Sequence, residues 1–526
     1  MTTIASSVNP ILPPDPHNLR LAANVHPSSW QNPRPAPRYN MVVLGAGTAG
    51  LVISAGAAGL GAKVALVERN FMGGDCLNYG CVPSKAIIRP ARIVGEIHRA
   101  RSMGISARLE RIDFGAVMER MRGIRADLSA HDSAARFTEL GVDVFFGDGH
   151  FASPETIEVG TSVLRFRRAA IAAGGRAAAL PLEGLEAAGY LTNESIFSLT
   201  ELPRRLAVVG GGAIGCELAQ AFARLGAEVT IVEALPRILS REDHDAAEIV
   251  NRSLIRDGVK IVTGAAIARV ERRGSDKVLH IASSDADGRP AVAEEIIADE
   301  ILLSVGRTPN LDGLNLAAAR IAYSRNGVIV DDHLRTTNRR VYAAGDVCTG
   351  GDGTKSTAAS SVFDKKFTHM ADAMARIVIR NALFHGRAQA SALIVPSCVY
   401  TDPEIGQVGL TEEQARARGD ESRTFTRQFA DVDRASIDGE IEGFAKLHVV
   451  RDKIVGATLV GSHAGEMISE ITVAIGAGLG MGKLAEVIHP YPTQAEVFRQ
   501  AADAFNRTRL TPRLKRLFTR WFALTR

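Results

Sequence analysis

The sequence is poor in cysteine, with only five among 526 residues. None lies before Cys76 or after Cys398. So few and so widely spaced cysteines exclude the disulfide framework of a small secreted protein. The N-terminus also lacks a basic stretch followed by an apolar core, and no run of about 20 apolar residues occurs anywhere. We therefore expect a cytoplasmic protein with no signal peptide and no membrane span.

The charge balance is nearly even, with 62 Lys and Arg against 58 Asp and Glu, for a formal net charge of +4. So small an excess in so long a chain gives no reason to expect a nucleic-acid partner. The hydrophobic fraction of 46% is typical of a soluble globular protein. A chain of this length divides into three or four domains.

Two of the five cysteines lie close together in GGDCLNYGCVPSK, residues 73–85. A zinc site would need a second cysteine pair or histidines nearby, and no second pair follows. The spacing of Cys76 and Cys81 suits a redox-active disulfide at the start of a helix, where unpaired N–H groups stabilise a thiolate. Such a site lowers a thiol pKa to roughly 3.5–7.5. The alternative is a pair of inert buried thiols.

Two glycine-rich units, 165 residues apart, each read as strand, glycine turn, helix and second strand ending in an acid. In this fingerprint the first glycine makes the tight turn, the second admits a pyrophosphate and the third lets the helix pack on the strand. The acid accepts hydrogen bonds from a ribose. Two such units predict two different dinucleotides. The residues are Gly45, Gly47, Gly50 and Glu68 in the first unit and Gly210, Gly212, Gly215 and Glu233 in the second.

Together these motifs resemble the class I pyridine nucleotide-disulfide oxidoreductases, which include dihydrolipoamide dehydrogenase, glutathione reductase and mercuric reductase. The resemblance extends from about Tyr39 to about Phe505. It implies FAD in the first unit and a nicotinamide in the second, with Cys81 as the thiolate against the flavin and Cys76 as the outer thiol. It also implies that Lys85 lies near the flavin and pairs with Glu217. Further cofactor-binding residues implied by it are Asp75, Gly149, Gly306, Gly345 and Asp346.

The fold class predicted is α/β, with two Rossmann-like dinucleotide-binding domains and an α+β C-terminal dimerisation domain. The family forms homodimers in which each active site is completed by the partner's C-terminal domain. The N-terminal arm holds eight of the 21 prolines, which predicts disorder. The predicted divisions are the Pro-rich arm 1–38, FAD-binding domain 39–186 and 309–384, NAD(P)-binding domain 187–308, dimerisation domain 385–505 and basic tail 506–526.

One departure from the family pattern decides the subfamily. Dithiol-handling members carry HPTxxE, a histidine base oriented by a glutamate, whereas this chain reads HPYPTQAE with Tyr491 at the histidine position and Glu496 at its end. A phenol with a pKa near 10 is a poor base at neutral pH. Mercuric reductases have a tyrosine there and a second one before the nicotinamide unit, which Tyr190 matches. His489 is the candidate for a displaced base.

We therefore expect electrons to pass from NAD(P)H through the flavin and the cysteine pair to a soft metal or disulfide, with Hg(II) bound between Cys76 and Cys81 as substrate. This chain departs from mercuric reductases in lacking a cysteine pair after Cys398 and in carrying Glu233, which favours NADH over NADPH. A dihydrolipoamide dehydrogenase-like enzyme is the alternative. A flavin-bearing redox sensor or membrane-associated scaffold is the alternative outside enzymes.

The C-terminal tail has apolar residues at helical spacing with basic residues between them. One interpretation is a terminal helix whose apolar face docks on the dimer. The other is a basic amphipathic helix that makes peripheral contact with an anionic membrane.

Overall fold

The structure is a computed structural model that describes residues 11–284, 290–351, 360–417 and 422–526. It has two compact units. The first contains the residues up to Gly95, Arg108–Ala234 and Ile261–Leu393, and the second contains Glu96–Ala107, Leu235–Lys260 and the chain from Ile394 onward. Each unit is described separately below.

The helices α1 to α16 are, in chain order, Pro16–Val25, Thr48–Gly59, Gly74–Tyr79, Cys81–Arg99, Phe114–Leu128, Ala134–Glu139, Leu185–Ala188, Ala213–Arg224, His244–Arg256, Thr368–Phe384, Glu412–Ala417, Asp433–Asp438, Ala464–Gly476, Met481–Leu484, Glu496–Arg509 and Pro512–Leu524. The strands β1 to β24 are, in chain order, Tyr39–Leu44, Val64–Glu68, Val142–Phe146, Gly149–Ser153, Thr156–Val159, Ser162–Ile171, Gly175–Ala177, Arg205–Val209, Glu228–Glu233, Lys260–Thr263, Ala266–Arg273, Asp276–Ser284, Pro290–Ala298, Glu300–Leu303, Arg307–Pro309, Tyr323–Ser324, Gly327–Val330, Val341–Ala343, Cys348–Gly350, Ser397–Val399, Glu404–Gly409, Ser422–Gln428, Phe444–Val450 and Lys453–Gly461.

The first sheet of unit 1 is built around the first dinucleotide unit. Its strand order is β3-β2-β1-β6, these neighbours are parallel, and β18 also joins β6 in parallel. The first half of β6 pairs antiparallel with β5 instead, which continues to β4. Because β1 and β2 are apolar on both faces, they fit the interior of a parallel sheet covered on both sides. The predicted strand–turn–helix–strand order of this unit is confirmed.

The second dinucleotide unit forms a separate four-stranded sheet of order β10-β9-β8-β14, in which β8 pairs in parallel with β9 and β14. An antiparallel sheet of order β11-β12-β13 follows it in the chain. The predicted fold class, α/β with two Rossmann-like units, is therefore what the structure has. Of the predicted nicotinamide domain, Leu235–Lys260 belongs to unit 2.

The prediction of a disordered N-terminal arm is wrong for residues 11–38. Asp15 caps α1 by accepting from the Asn18 N–H at 2.8 Å, and Pro16 occupies the first helical position, where its missing N–H costs nothing. Leu21 and Val25 are fully buried. Composition misled us because the prolines lie outside the helix or at its first position. Residues 1–10 of the predicted arm lie outside the described residues.

Unit 2 is organised on an antiparallel sheet of order β20-β21-β24-β23-β22. Helices α13 and α15 pack on this sheet, and their apolar faces share one buried cluster with it. Within the same unit, the buried Lys446 ammonium lies 3.0 Å from Asp243, the N-cap of α9. The α+β character predicted for the C-terminal domain is confirmed.

The tail forms α16, a well-capped helix that contributes no residue to the core. Thr511 accepts from the Leu514 N–H at 3.3 Å, and Pro512 occupies the first turn. No residue of α16 is buried. No helix in the described part of the chain combines the length and hydropathy that a membrane crossing requires.

Candidate active site

The two motif cysteines lie on two consecutive helices of unit 1. Cys76 lies within the short helix α3, and Cys81 is the first residue of the 19-residue helix α4. The turn before α3 needs glycine, because Gly73 has φ +86° and Gly74 has φ +57°. Both cysteines are thiols in this structure; Cys76 is partly buried and Cys81 is exposed. The prediction that the pair lies at a helix start is confirmed for Cys81.

Hydrogen bonding separates the acidities of the two thiols. A hydrogen bond from Cys76 lowers the pKa of Cys81 to about 6, although partial desolvation of the sulfur by the surrounding protein opposes this shift. The Thr368 hydroxyl, 3.4 Å from the Cys81 sulfur, and the charge of Lys85 lower it further. The same hydrogen bond between the two cysteines raises the pKa of Cys76, and burial adds to the rise. This asymmetry favours Cys81 as the thiolate of the reduced pair at neutral pH.

A lysine–glutamate pair lies one helical turn beyond Cys81. Lys85 on α4 is 2.7 Å from the Glu217 carboxylate on α8, and Glu217 is buried. A buried carboxylate is costly unless it is paired, so this ion pair fixes the position of the lysine ammonium relative to α8. The pairing that the resemblance implied is present. The ion pair joins α4, which carries Cys81, to α8, the helix of the second dinucleotide motif.

The first glycine loop fits a dinucleotide. Gly45 has φ +100°, and a Cβ there would lie 2.4 Å from the Ala172 carbonyl oxygen. Gly47 caps α2 without a side-chain acceptor, so the helix N–H groups are available to a phosphate. Glu68 accepts from the Ala46 and Asn70 N–H groups at 2.7 Å each, which holds the carboxylate beside the loop. Burial raises the pKa of Glu68, and these two bonds oppose the rise.

The second glycine loop repeats this geometry. Gly210 has φ +107°, and its Cβ would lie 2.6 Å from the Ser304 carbonyl oxygen. Gly212 caps α8 without a side-chain acceptor, and Glu233 accepts from the Gly211 N–H at 2.6 Å. The third glycines are fixed by packing: Cβ atoms at Gly50 and Gly215 would lie 1.8 and 2.1 Å from the carbonyl oxygens of Gly45 and Gly210. Both loops therefore have the shape predicted for them.

Arg307 links two acids that sequence reasoning assigned to the flavin. Its guanidinium lies 3.2 Å from Asp75 and 3.3 Å from Asp346, and it also donates to the Gly175 carbonyl at 2.9 Å. Asn193 donates to the other Asp75 oxygen at 2.9 Å. Burial raises the pKa of Asp75, and the Arg307 charge opposes that rise. Sequence reasoning missed Arg307 as a linker, although it lies in the quoted motif LLSVGRTPN.

The remaining predicted flavin contacts are glycines with different local reasons. Gly345 and Gly306 have φ +81° and +129°, conformations that favour glycine. A Cβ at Gly149 would lie 2.7 Å from both Leu44 and Val67, so packing against β1 and β2 explains the glycine there. A flavin contact at these positions remains a prediction.

The C-terminal motif places two candidate proton-handling groups in unit 2. Tyr491 is 71% exposed and donates to Asp433 at 2.9 Å; this bond raises the pKa of the phenol. The His489 ring is buried and lies 2.9 Å from Glu470. Glu496 is paired with Arg499 at 3.1 Å. Sequence reasoning missed Asp433 and Glu470, because neither lies in a motif and only folding brings them to this segment.

Tyr190, the other predicted tyrosine, lies in unit 1 just before the second dinucleotide unit. Its hydroxyl donates to Glu186 at 2.9 Å, and that bond raises its pKa. Thr368 beside Cys81 was not predicted, since it lies 287 residues further along the chain.

The N-terminal segment contacts the loop and helix that carry the cysteines. The Met72 N–H, just before the motif, donates to the Val25 carbonyl at 3.1 Å. Arg125 on α5 is fully buried and donates to the Asn78 carbonyl of α3 at 2.8 Å and to the Asn18 side chain of α1 at 2.7 Å. Residues absent from every predicted motif therefore support the segment between Cys76 and Cys81.

Two dinucleotide loops, a polarised thiol pair and a lysine paired with Glu217 define an FAD-dependent oxidoreductase that uses NAD(P)H. Comparison with known proteins agrees. The family model described as pyridine nucleotide-disulphide oxidoreductase matches residues 39–373, and its dimerisation domain matches residues 395–502. The chain belongs to this family. Its C-terminal domain is accordingly the domain through which family members form homodimers.

Relatives with different substrates are similar to this chain. Mercuric reductase from Bacillus cereus is 33% identical over 478 residues, covering 89% of this chain and 72% of that protein. Dihydrolipoyl dehydrogenase from Thermus scotoductus is 33% identical over 479 residues, covering 89% of this chain and 98% of that protein. The structure of the Cu(II) complex of the HOCl-induced flavoprotein disulfide reductase RclA from Escherichia coli is 27% identical, with a TM-score of 0.75, and the match covers 88% of this chain and 98% of that one.

Proposed function

We propose that this protein oxidises NADH and reduces a soft metal ion, most readily Hg(II) to Hg(0), through the Cys76–Cys81 pair. The observation that carries the proposal is Tyr491, which stands where dithiol-handling members have a histidine base and whose hydroxyl donates a hydrogen bond to Asp433 at 2.9 Å. Since that bond raises the pKa of the phenol, Tyr491 stays protonated at neutral pH and is a poor proton acceptor.

A metal substrate does not need such an acceptor. Reduction of a disulfide substrate requires a proton for the thiolate that the attacking cysteine expels, whereas a bound soft metal ion is held by the two sulfurs themselves and leaves after gaining electrons. Cys81, with a pKa lowered to about 6, supplies one sulfur already deprotonated. Metal binding displaces the proton from Cys76. Bound FAD supplies the two-electron transfer from the nicotinamide to the metal.

Two groups of relatives support a metal as a substrate. Mercuric reductases from Bacillus cereus, Staphylococcus aureus and Streptomyces lividans are 31–33% identical to this chain. RclA was solved as a Cu(II) complex. Hg(II) and Cu(II) are both soft or borderline metal ions that thiolates bind well. Cu(II) is therefore the second metal to test.

The test is anaerobic stopped-flow absorbance of the NADH-reduced holoenzyme, mixed separately with Hg(II) plus excess small thiol, with Cu(II) and with lipoamide. We expect multiple turnovers of NADH oxidation with Hg(II), lost in Cys76→Ala. Cys398→Ser is the matched control, because it removes a thiol outside the pair and should leave turnover unchanged. Turnover with lipoamide and none with either metal would overturn the proposal.

A dithiol enzyme of the dihydrolipoyl dehydrogenase type is the second candidate, because the buried His489 ring lies 2.9 Å from the partly exposed Glu470 carboxylate. A histidine oriented by a carboxylate is the arrangement that a dithiol base requires. His489→Gln distinguishes the two functions: lipoamide turnover should fall by at least about a hundredfold if this base operates. Hg(II) turnover should stay within about twofold of wild type, because its path does not use the base.

NADH is proposed as the donor because Glu233 is held at the second glycine loop by the Gly211 N–H. A carboxylate there accepts from a ribose 2′-hydroxyl and repels a 2′-phosphate. Arg237, the first arginine after it, donates to the carbonyls of Leu239, Ser240 and Glu242 in its own loop. Steady-state kcat/KM should favour NADH over NADPH, and Glu233→Ala should shrink that ratio; a preference for NADPH in the wild-type enzyme would contradict this assignment.

Shared active sites in a homodimer complete the proposal. Tyr491 then acts on the cysteine pair of the partner subunit, as the family resemblance implies. If Cys76→Ala and Tyr491→Ala each lack Hg(II) turnover on their own, the two variants would be mixed under conditions that exchange subunits. A hybrid dimer has one intact site only if Tyr491 serves the partner, so recovery of Hg(II) turnover supports sharing. Absence of recovery in verified hybrid dimers would show that each site lies within one chain.

A further inference from the structure

The last helix, α16, has an uncovered apolar face. Trp521, Phe522 and Leu524 are 61%, 63% and 84% exposed, and Leu517 and Phe518 are exposed as well. The preceding helix α15 provides the contrast, because its Val497, Phe498 and Ala501 are fully buried in the core of unit 2. Large apolar side chains grouped on one face mark an interaction surface.

The charge around this face is of one sign. From residue 504 to residue 526 the sequence has seven basic residues and no acidic one. At 3.6 residues per turn, Leu514, Leu517 and Trp521 lie on one side of α16, and Arg513 and Lys515 lie on its two edges. Long basic side chains at the edges of an apolar face can reach outward to an anionic plane while the apolar face is buried.

We propose that α16 binds an anionic phospholipid surface, lying in the plane of the headgroups with Trp521 and its apolar neighbours inserted. The combination of an apolar face, an all-basic polar face and an aromatic centre is the pattern of an interfacial helix. A second copy of this chain explains the pattern less well: it would have to cover the apolar face with a surface that also compensates seven basic residues unaccompanied by any acidic one. The dimerisation domain of the family ends at residue 502, before α16 begins.

The helix is also anchored so that it can act as a unit. Thr511 and Pro512 set its first turn, and the chain immediately before them belongs to α15, which packs in the core of unit 2. Membrane attachment through α16 leaves the residues of the proposed active site untouched, so this inference is independent of the substrate proposed above.

The experiment is co-sedimentation of the full-length holoenzyme with vesicles of phosphatidylcholine alone and with vesicles that also contain phosphatidylglycerol. We expect binding to the anionic vesicles only, weakened by added salt. Arg513→Glu with Arg516→Glu should weaken binding on the order of tenfold or more, since each basic side chain near an anionic surface contributes measurably. Trp521→Ser with Phe522→Ser should abolish it.

The matched control is Leu60→Ser, which removes an apolar side chain that is 61% exposed, the same fraction as Trp521, but lies elsewhere in the fold. It should bind vesicles like the wild type. Sedimentation velocity on the Trp521→Ser, Phe522→Ser variant supplies the second readout. Dimer dissociation with unchanged vesicle binding would assign the helix to a second copy, and equal binding to neutral and anionic vesicles, or none to either, would overturn the proposal.

Discussion

Two helices outside the family matches, α1 in residues 11–38 and α16 in the tail, have the same kind of N-terminal cap but lie in opposite environments. Each helix starts with a capping residue followed by proline, Asp15–Pro16 in one and Thr511–Pro512 in the other. In α1 the apolar positions Leu21 and Val25 are fully buried, whereas no residue of α16 is buried. The capping residues therefore fix where each helix begins. Whether the apolar face is buried or exposed decides whether the helix stabilises the fold or can bind a partner.

The difference also concerns the active site. Residues 11–38 reach the cysteine segment through backbone and side-chain bonds, and they cover the edge strand β3 as well. Trp30 donates to the Val144 carbonyl at 3.2 Å, and Asn32 both donates to and accepts from Phe146 at 2.8 Å. An uncovered edge strand is open to pairing with other chains. We infer that the N-terminal segment is a structural part of the FAD domain, while α16 is available for a partner.

The largest expected effect is on stability at the buried end of this comparison. Leu21→Ala removes a fully buried side chain between α1 and the FAD domain. The free energy of unfolding of this variant should be lower than that of the wild type by about 2–5 kcal/mol, as for other large-to-small core substitutions. Denaturant unfolding followed by circular dichroism and by flavin fluorescence measures it. A loss below about 0.5 kcal/mol would show that α1 is not packed in solution.

A smaller effect is expected from Asn18→Ala. Asn18 is buried and accepts from Arg125, which also donates to the Asn78 carbonyl between the two cysteines. Removing one partner of a buried charged donor costs about 1–3 kcal/mol. The same unfolding measurement checks this value. Leu19→Ala is the control on the same helix, because that side chain is 62% exposed and its loss should be nearly neutral.

The thiol pair gives a third test, measured as a pH shift. Because the pKa of Cys81 is lowered to about 6, alkylation of the NADH-reduced enzyme by iodoacetamide should rise with pH through about 6 and then level off. The hydrogen bond from Cys76 is the largest cause of the shift, so Cys76→Ala should move the rise to higher pH. Trp521→Ser should leave it in place. A rise near pH 9 in the wild type would contradict the assignment of Cys81 as the thiolate.

The sequence predicted the parts of the site that are local in the chain. The glycine loops, the acids Glu68 and Glu233 and the start of α4 at Cys81 follow from spacing within about 25 residues. What it could not predict depends on tertiary contact: Thr368 beside Cys81 and Arg125 beneath Asn78. The prolines of the N-terminal segment were read as a sign of disorder, although Asp15–Pro16 carries a helix-start signal. Composition averages over a segment and hides such a signal.

The smallest expected effect lies at the exposed end. Trp521→Ala removes a large side chain, yet the free energy of unfolding should change by no more than about 0.5 kcal/mol, because the ring is 61% exposed and makes no part of the core. The measurement is the same denaturant unfolding used for Leu21→Ala, without vesicles. Suppose instead that the free energy of unfolding falls as much as in Leu21→Ala, and that this loss becomes smaller when the protein is diluted. That result would show that the indole is covered by a second copy. A change near zero, together with lost vesicle binding, would separate α16 from α1 as a surface helix whose apolar face serves a partner rather than the fold.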